Sequence, residues 1–85
     1  FSLSQNYPNP FNPVTIIEFG IPVKSNLVLT IFNSIGKEVA KLINEEKDAG
    51  TYSVKFDAAE FPSGIYFYQL HAGYYVETKK MVLMK

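Results

Sequence analysis

The sequence predicts an all-β fold, an antiparallel β-sandwich of about six or seven strands. Three observations predict it. Stretches rich in β-branched and aromatic residues recur along the chain, turn residues separate them, and no segment has the sustained period of a long helix. Hydrophobic residues make up 47% of the 85 residues and aromatic residues 15%, which is typical of a folded chain. We therefore expect one domain over residues 1–85.

The chain opens with a proline-rich segment, residues 1–13, which includes the stretch NYPNPFNP. Proline lacks a backbone donor and pushes the residue before it into extended conformations, so residues 6–13 cannot form a central strand. Asparagine side chains can replace the missing ladder bonds. We expect an irregular edge of the sandwich, with Tyr7 and Phe11 buried against its open end. This interpretation is favoured over a linker or a proline-rich ligand motif.

Two strands are predicted next, at Val14 to Phe19 and at Leu27 to Phe32. The first alternates, with Ile17 and Phe19 on one face. The second is apolar on both faces, which indicates that both faces are covered. The segment Asn33-Ser34-Ile35-Gly36 that follows reads as a turn, because glycine adopts positive φ without strain.

The segment Lys37 to Ile43 fits either a helix or a strand. Its residues Val39, Leu42 and Ile43 have the spacing of a helix face, but a short irregular strand would look the same. The residues Asn44 to Gly50 are mostly charged, and we expect them to form a loop.

The second half of the chain reads as three strands. Tyr52 to Phe56 alternates as a half-buried strand, and Phe61 to Gly64 reads as a turn. Ile65 to Leu70 is apolar or aromatic on both faces, as in a central strand. Ala72 and Gly73 then close a hairpin onto a last strand, Tyr74 to Met84.

Composition excludes several classes of function. The formal net charge is zero, every positive charge is a lysine, and arginine is absent, so nucleic-acid binding is not expected. The absence of cysteine excludes disulfides and thiolate chemistry. No apolar run reaches the ~20 residues of a membrane span. Because the chain begins with phenylalanine and lacks a signal peptide, we expect a processed product or an excised segment with any export signal upstream.

No arrangement of residues indicates catalysis or a cofactor. His71 is the single histidine, and a triad with Asp48 or Asp57 would lack a nucleophile-elbow serine, so a histidine at a strand end is the better interpretation. Glu45, Glu46 and Asp48 could bind calcium, but the spacing of a calcium loop is absent and a solvated loop is favoured. We expect a protein that is not an enzyme and holds no metal or cofactor.

Tyrosines could instead form a platform for sugar rings. Tyr66 and Tyr68 share one face of the predicted central strand, so they are assigned to the core. Tyr74 and Tyr75 lie near the last turn and remain candidates for surface rings that would bind carbohydrate.

The order of motifs resembles a known family more closely than any single motif does. The segments LSQNYPNPFNPVTIIEF, LTIFNSIGKEV, AGTYSVKFD, PSGIYFYQL and TKKMVLMK follow one another from Leu3 to Lys85. In this order and spacing they are similar to the type A C-terminal sorting domain of the type IX secretion pathway, which implies an immunoglobulin-like antiparallel β-sandwich of about seven strands.

The resemblance also implies a function and a set of residues. Such a domain directs a cargo protein to an outer-membrane translocon, is usually removed by a sortase-like peptidase, and places the cargo on the cell surface or outside the cell. Its signal would include the terminal segment Lys80 to Lys85, which could pair with a sheet edge of a receptor. The sorting-motif residues are Asn6, Pro8, Asn9, Pro10, Phe11, Asn12, Pro13, Gly36, Gly50, Gly64, Tyr66, Lys80 and Lys85.

Two other functions remain open at this stage. The domain could be an extracellular structural subunit that forms a homo-oligomer or a polymer by strand addition, because sheet edges can template association. A carbohydrate-binding module is the weaker alternative. A non-catalytic sorting signal is the favoured hypothesis.

Overall fold

Seven strands and no helix make up the structure, a computed structural model of residues 1–85. The strands are β1 (Ser2–Leu3), β2 (Val14–Ile21), β3 (Ser25–Asn33), β4 (Glu38–Lys47), β5 (Gly50–Asp57), β6 (Gly64–Ala72) and β7 (Tyr75–Leu83). They form a three-stranded sheet in the order β1-β2-β5 and a four-stranded sheet in the order β4-β3-β6-β7, with antiparallel pairing throughout. The predicted all-β sandwich is confirmed.

The core lies between the inner faces of the two sheets. Alternation along each strand places every second side chain on that face, and the side chains there are almost all apolar. The three-stranded sheet contributes Ile17, Phe19 and Phe56, among others. The four-stranded sheet contributes Leu27, Leu29, Ile31, Tyr66, Tyr68, Leu70, Met81 and Leu83. At about 25 cal/mol per Å² of apolar surface removed from water, this interleaved layer is the main source of stability.

Residues 38–43 of the segment 37–43 lie in β4, so the segment forms a strand and not a helix. Its pairing with β3 shifts register twice, between Leu29 and Thr30 and between Ile31 and Phe32. A bulge sets two residues of one strand opposite one residue of its partner and breaks the alternation of side chains. Adjacent apolar residues of β4 can therefore contact the core, which reproduces the spacing of a helix face in the sequence.

The predicted loop at 44–50 is wrong for its first four residues. Strand β4 continues to Lys47, which pairs with Ser25, and Glu46 pairs with Asn26. This strand forms an edge of its sheet, where charged side chains are common because they discourage pairing with other chains. The run of charged residues therefore indicates an exposed edge strand and not a loop.

Strands β3 and β6 are the two central strands of the four-stranded sheet, as expected for Ile65 to Leu70. Their second face, however, is not covered by the rest of the chain. Phe32 and Phe67 are paired on that outer face and only half-buried, and Ile65 is 43% exposed. The expectation that both faces of β3 are covered is wrong, because the three-stranded sheet packs on the inner face alone.

Candidate functional site

The sequence motifs at the two ends of the chain meet along one line of contacts between residues 5–13 and residues 80–84, called the seam here. Residues 5–13, called the strap here, leave the three-stranded sheet and cross to the outer edge of β7. The strap first forms an antiparallel bridge between Tyr7 and Ile16 of β2, and then a parallel bridge between Phe11 and Leu83 of β7. It therefore connects both sheets and closes one side of the sandwich.

The strap covers the outer edge of β7 over residues 80–84. In an edge strand every second residue points its backbone N–H and C=O away from the sheet, and these groups need partners. The strap supplies four. The bonds run from Gln5 Nε2 to Lys80 O (2.7 Å), from Val82 N to Asn9 Oδ1 (3.0 Å), from Phe11 N to Val82 O (2.9 Å) and from Met84 N to Phe11 O (2.9 Å). This part of the edge is thus not free to pair with a second strand.

A buried asparagine holds the bend of the strap. Asn6 is 2% exposed, and its Nδ2 donates to Thr15 Oγ1 at 3.0 Å and to Pro8 O at 3.2 Å. The Thr15 hydroxyl, which is also buried, donates to the same Pro8 carbonyl at 2.9 Å. The side-chain amide replaces the ladder bonds that the prolines cannot make, as predicted from the motif.

Tyr68 fastens the strap from inside the core. Its hydroxyl donates to Ser4 O at 2.6 Å and accepts from Asn6 N at 2.8 Å, so one buried phenol satisfies one backbone group of the strap and one of the residue that precedes it. Burial is the main cause that raises the pKa of Tyr68 to about 12, and the charge of Glu77 adds to it, while the bond from the Asn6 amide lowers it. The phenol is therefore neutral at physiological pH.

The two aromatic residues of the strap have different roles. Phe11 is 2% exposed and packs on Phe56 at a centroid distance of 6.1 Å, as expected for a side chain that fills the end of the sandwich. Tyr7 is 79% exposed, so the expectation that it is buried is wrong. Paired residues of neighbouring strands share one face, and the partner of Tyr7 is Ile16, which lies on the outer face of β2.

The remaining motif residues lie around the seam or at turns. Tyr66 is buried and its hydroxyl donates to Pro62 O at 2.7 Å. Gly36 has φ of +83° in the turn between β3 and β4, a conformation that strains residues with a side chain. Gly50 is the first residue of β5, opposite Ile21, and lies away from the seam, whereas Gly64 is the first residue of β6 and lies opposite Leu83, which the strap contacts. Among the sorting-motif residues of the strap, Pro8, Asn9, Pro10 and Asn12 are exposed, and Pro13 is half-buried.

The terminal lysines differ in their contacts. Lys80 is exposed on the outer face of β7, opposite Phe67. The Lys85 backbone N donates to Ser63 Oγ at 3.0 Å, and its Nζ donates to Ala59 O at 2.5 Å. Neither lysine forms an ion pair with a carboxylate.

The residues considered for other chemistry are dispersed. His71 lies next to the end of β6, opposite Val76 on the outer face, while Asp57 ends β5 in the other sheet. Glu45 and Glu46 form ion pairs with lysines. No group of three potential metal ligands occurs, and no helix has the length and apolar character that a membrane crossing requires.

The two candidate sugar-binding tyrosines do not form a platform. Tyr74 is fully exposed in the β6–β7 turn. Tyr75 is half-buried and stacks on Phe1 at 5.0 Å, with its hydroxyl bonded to Glu77. Burial is the main cause that raises the pKa of Tyr75 to about 12, and the bond to Glu77 adds to it. One exposed ring remains, which is too little for a stacking surface.

Sequence reasoning did not find three residues that hold the seam, namely Gln5, Thr15 and Tyr68. Thr15 reads as an ordinary strand residue and Tyr68 as an ordinary core residue. Their hydroxyls matter because each meets a segment distant in sequence, and no local pattern reports such a contact.

Comparison with known proteins gives a match to a family model over nearly the whole chain. The family model described as the secretion system C-terminal sorting domain matches residues 5–84, from the first residue of the strap to the last strap contact on β7. No curated protein and no solved structure matches the chain.

Proposed function

The chain belongs to the secretion system C-terminal sorting domain family, and from this premise we propose that it directs a cargo protein through the type IX outer-membrane translocon. A domain of this family is a sorting signal for type IX secretion, which exports its cargo to the cell surface or the exterior. In our proposal the domain is non-catalytic, and a sortase-like peptidase removes it after export.

The observation that carries the proposal is the meeting of the two ends of the signal. The asparagine and proline motif lies in the strap, and residues 80–84 of the terminal segment lie along it, joined by backbone and side-chain hydrogen bonds. We therefore propose that the translocon recognises this seam as one folded element. A receptor that paired with β7 by strand addition would first have to remove the strap from residues 80–84.

The chemistry of the seam agrees with a role in recognition rather than catalysis. Its polar groups are amides, hydroxyls and backbone groups, and no buried side-chain nitrogen or oxygen lacks a hydrogen-bond partner. The hydrogen bonds of Asn6, Thr15 and Tyr68 are used to hold the strap in place. A catalytic group would instead have a perturbed acid or base directed at a substrate.

The test uses an exported fluorescent reporter fused to the N-terminal side of this chain in a bacterium with type IX secretion. The measured quantity is the fraction of reporter outside the outer membrane. A deletion of residues 80–85 would be a poor variant, because Met81 and Leu83 are buried in the core and their loss would unfold the domain. Single substitutions in the strap are more informative.

Asn9 and Asn12 provide a matched pair within one motif. Asn9 Oδ1 accepts from Val82 N, whereas Asn12 is exposed and its side chain makes no hydrogen bond within the chain. We expect Asn9→Ala to lower export about fivefold and Asn12→Ala to leave it nearly unchanged, since one lost hydrogen bond is worth about 1 kcal/mol. Equal losses would indicate a linear signal, and a wild-type fusion retained in the periplasm would refute the sorting function.

Self-association is the second candidate function, and one observation favours it. Strand β5 is an edge strand, and none of its outward backbone groups, from Thr51 to Asp57, has a partner within the chain. Such an edge can pair with another copy. Sedimentation of the isolated domain at high concentration tests this, and a monomer throughout would exclude it.

A further inference from the structure

The outer face of the four-stranded sheet carries an apolar surface that no part of the chain covers. Phe32 of β3 pairs with Phe67 of β6, and Ile65 of β6 pairs with Val82 of β7. All four side chains lie on the outer face, because their neighbours along each strand point into the core. These four residues are called the outer patch here.

The patch lies at the end of the sheet where the sorting motifs meet. Ile35, in the β3–β4 turn at that end, is 85% exposed, and Met84 directly follows β7. Val82, a member of the patch, has its backbone N and O bonded to the strap. The outer patch is thus continuous with the seam.

The outer face of the other sheet is mixed. The outward side chains of β5 are all polar or charged: Thr51, Ser53, Lys55 and Asp57. Strand β2 adds Glu18, Val14 and Ile16, and Tyr7 of the strap lies beside Ile16. The outer patch differs because it extends over three neighbouring strands, β3, β6 and β7, and a contiguous apolar patch of this kind marks an interaction surface.

Charge indicates what kind of surface would cover the patch. Four of the eight lysines form ion pairs with glutamates: Lys24, Lys41, Lys47 and Lys79. Of the other four, Lys37 lies in the β3–β4 turn and Lys80 is opposite Phe67. The Lys85 Nζ is bonded to Ala59 O, in the connection between β5 and β6. Two lysines without an ion pair therefore lie beside the apolar patch. Glu38, the residue of β4 opposite Phe32, is bound to Lys41.

We propose that the outer patch is the docking surface for a protein of the export machinery whose own contact surface is apolar at its centre and acidic at its rim. The proposal rests on the proposed sorting function. Such an arrangement combines burial of apolar area with electrostatic guidance of the encounter.

Two other occupants fit the surface less well. A second copy would bring its own basic rim against this one, and like charges across an interface repel each other. A lipid surface favours protruding apolar side chains and clusters of about four to eight basic residues. Here the two phenylalanines lie half-buried within the sheet, and the formal net charge of the chain is zero.

The test compares two pairs of apolar residues at opposite ends of the same outer face. The variant Ile65→Thr with Val82→Thr alters the patch, and Val28→Thr with Val76→Thr is its control at the end away from the seam. Ile65 is 43% exposed and Val76 is 53% exposed, and Val82 and Val28 are both half-buried, so the two changes remove similar side chains from similar positions. Threonine keeps a high strand propensity.

A second arm tests the charge. Lys80→Glu reverses a rim charge, and Lys55→Glu reverses a lysine without an ion pair on the outer face of the other sheet. Each variant is fused to the reporter described above, and its melting temperature is measured on the isolated domain.

We expect the patch variant and Lys80→Glu each to lower export about tenfold, which is the effect of losing a central interface contact. The controls should be exported like the wild type, with melting temperatures that match those of the patch variants. Unchanged export of both patch variants beside an exported wild type would overturn this inference and leave the sorting function standing. A wild type that is not exported would overturn both.

Two further results would identify a different occupant of the patch. If the wild-type domain binds phosphatidylglycerol vesicles and Lys80→Glu loses this binding, the occupant is a lipid surface and not a protein. If the wild type forms a dimer that the patch variant abolishes, the occupant is a second copy.

Discussion

Replacing Tyr68 by phenylalanine should release the strap while the core remains packed. The ring of Tyr68 is fully buried, and phenylalanine has the same shape without the hydroxyl. The change therefore deletes two hydrogen bonds, to Ser4 O and from Asn6 N, and creates no cavity larger than one oxygen atom. Its effect isolates the contribution of this single attachment.

The expected loss follows from the groups left without a partner. The Asn6 amide is buried, and an unsatisfied buried donor costs about 1–3 kcal/mol. Ser4 is exposed, so water can replace much of the second bond, and about 1 kcal/mol or less is lost there. We expect Tyr68→Phe to lower the free energy of unfolding by about 2–3 kcal/mol, a fall in melting temperature of roughly 10–20 °C for a domain of this size.

Urea unfolding followed by circular dichroism measures this loss, and Tyr66→Phe is the matched control. Both tyrosines are buried on the inner face of β6, but the Tyr66 hydroxyl donates to the carbonyl of Pro62, which lies in an exposed turn. The control should lose about 1 kcal/mol or less. Hydrogen exchange at the Asn6 amide should accelerate only in Tyr68→Phe. Equal losses in the two variants, with no change at Asn6, would refute the assignment of Tyr68 as the attachment of the strap.

Three further predictions concern the strap, the pH dependence and a turn. Phe11→Ala should lower the free energy of unfolding by about 3–5 kcal/mol because a buried ring is lost. Tyr7→Ala should change it by less than about 0.5 kcal/mol, and chemical denaturation of both variants measures the two free energies. The pKa of Tyr68 is raised from 10.0 to about 12 in the folded state, so Tyr68 ionises in the unfolded chain at a lower pH than in the folded one. The stabilisation from this shift should therefore be complete below pH 10 and be lost as the pH rises toward 12. Melting curves across this range check the sign, and the loss should be smaller in Tyr68→Phe. Gly36→Val should cost about 1–2 kcal/mol because φ is +83° there, while the neighbouring change Ser34→Val should cost much less, a difference that melting temperatures would reveal.

The strands that alternate regularly were predictable from the sequence, and the seam was predictable only in part. Tyr52 to Phe56 has a period of two and forms β5 as expected. The motif indicated an edge segment held by asparagine side chains, which Asn6 confirms. Its contacts with residues 80–84 could not be predicted, because they join positions more than 70 residues apart and leave no local pattern.

The errors have physical causes of two kinds. In β4, bulges give Val39, Leu42 and Ile43 a helical spacing, and the charges of an edge strand resemble those of a loop. The sequence predicts burial of Tyr7 because aromatic rings gain most from it. The side of the sheet on which the Tyr7 ring lies is determined instead by the bridge between Tyr7 and Ile16. This bridge follows from the pairing register and not from the type of side chain.

The joining of the strap to β7 has a consequence for the timing of folding. Gln5 and Asn9 leave the ribosome long before their partners Lys80 and Val82, because more than 70 residues separate them. Contacts between distant residues also form slowly, because the intervening chain must first lose its conformational freedom. A chain interrupted before residue 80 would lack Met81 and Leu83 from its core and the edge on which the strap rests. The folded seam therefore forms only after residues 80–84 have been synthesised, and a receptor that reads the seam would distinguish chains that reach residue 84 from chains that stop before residue 80.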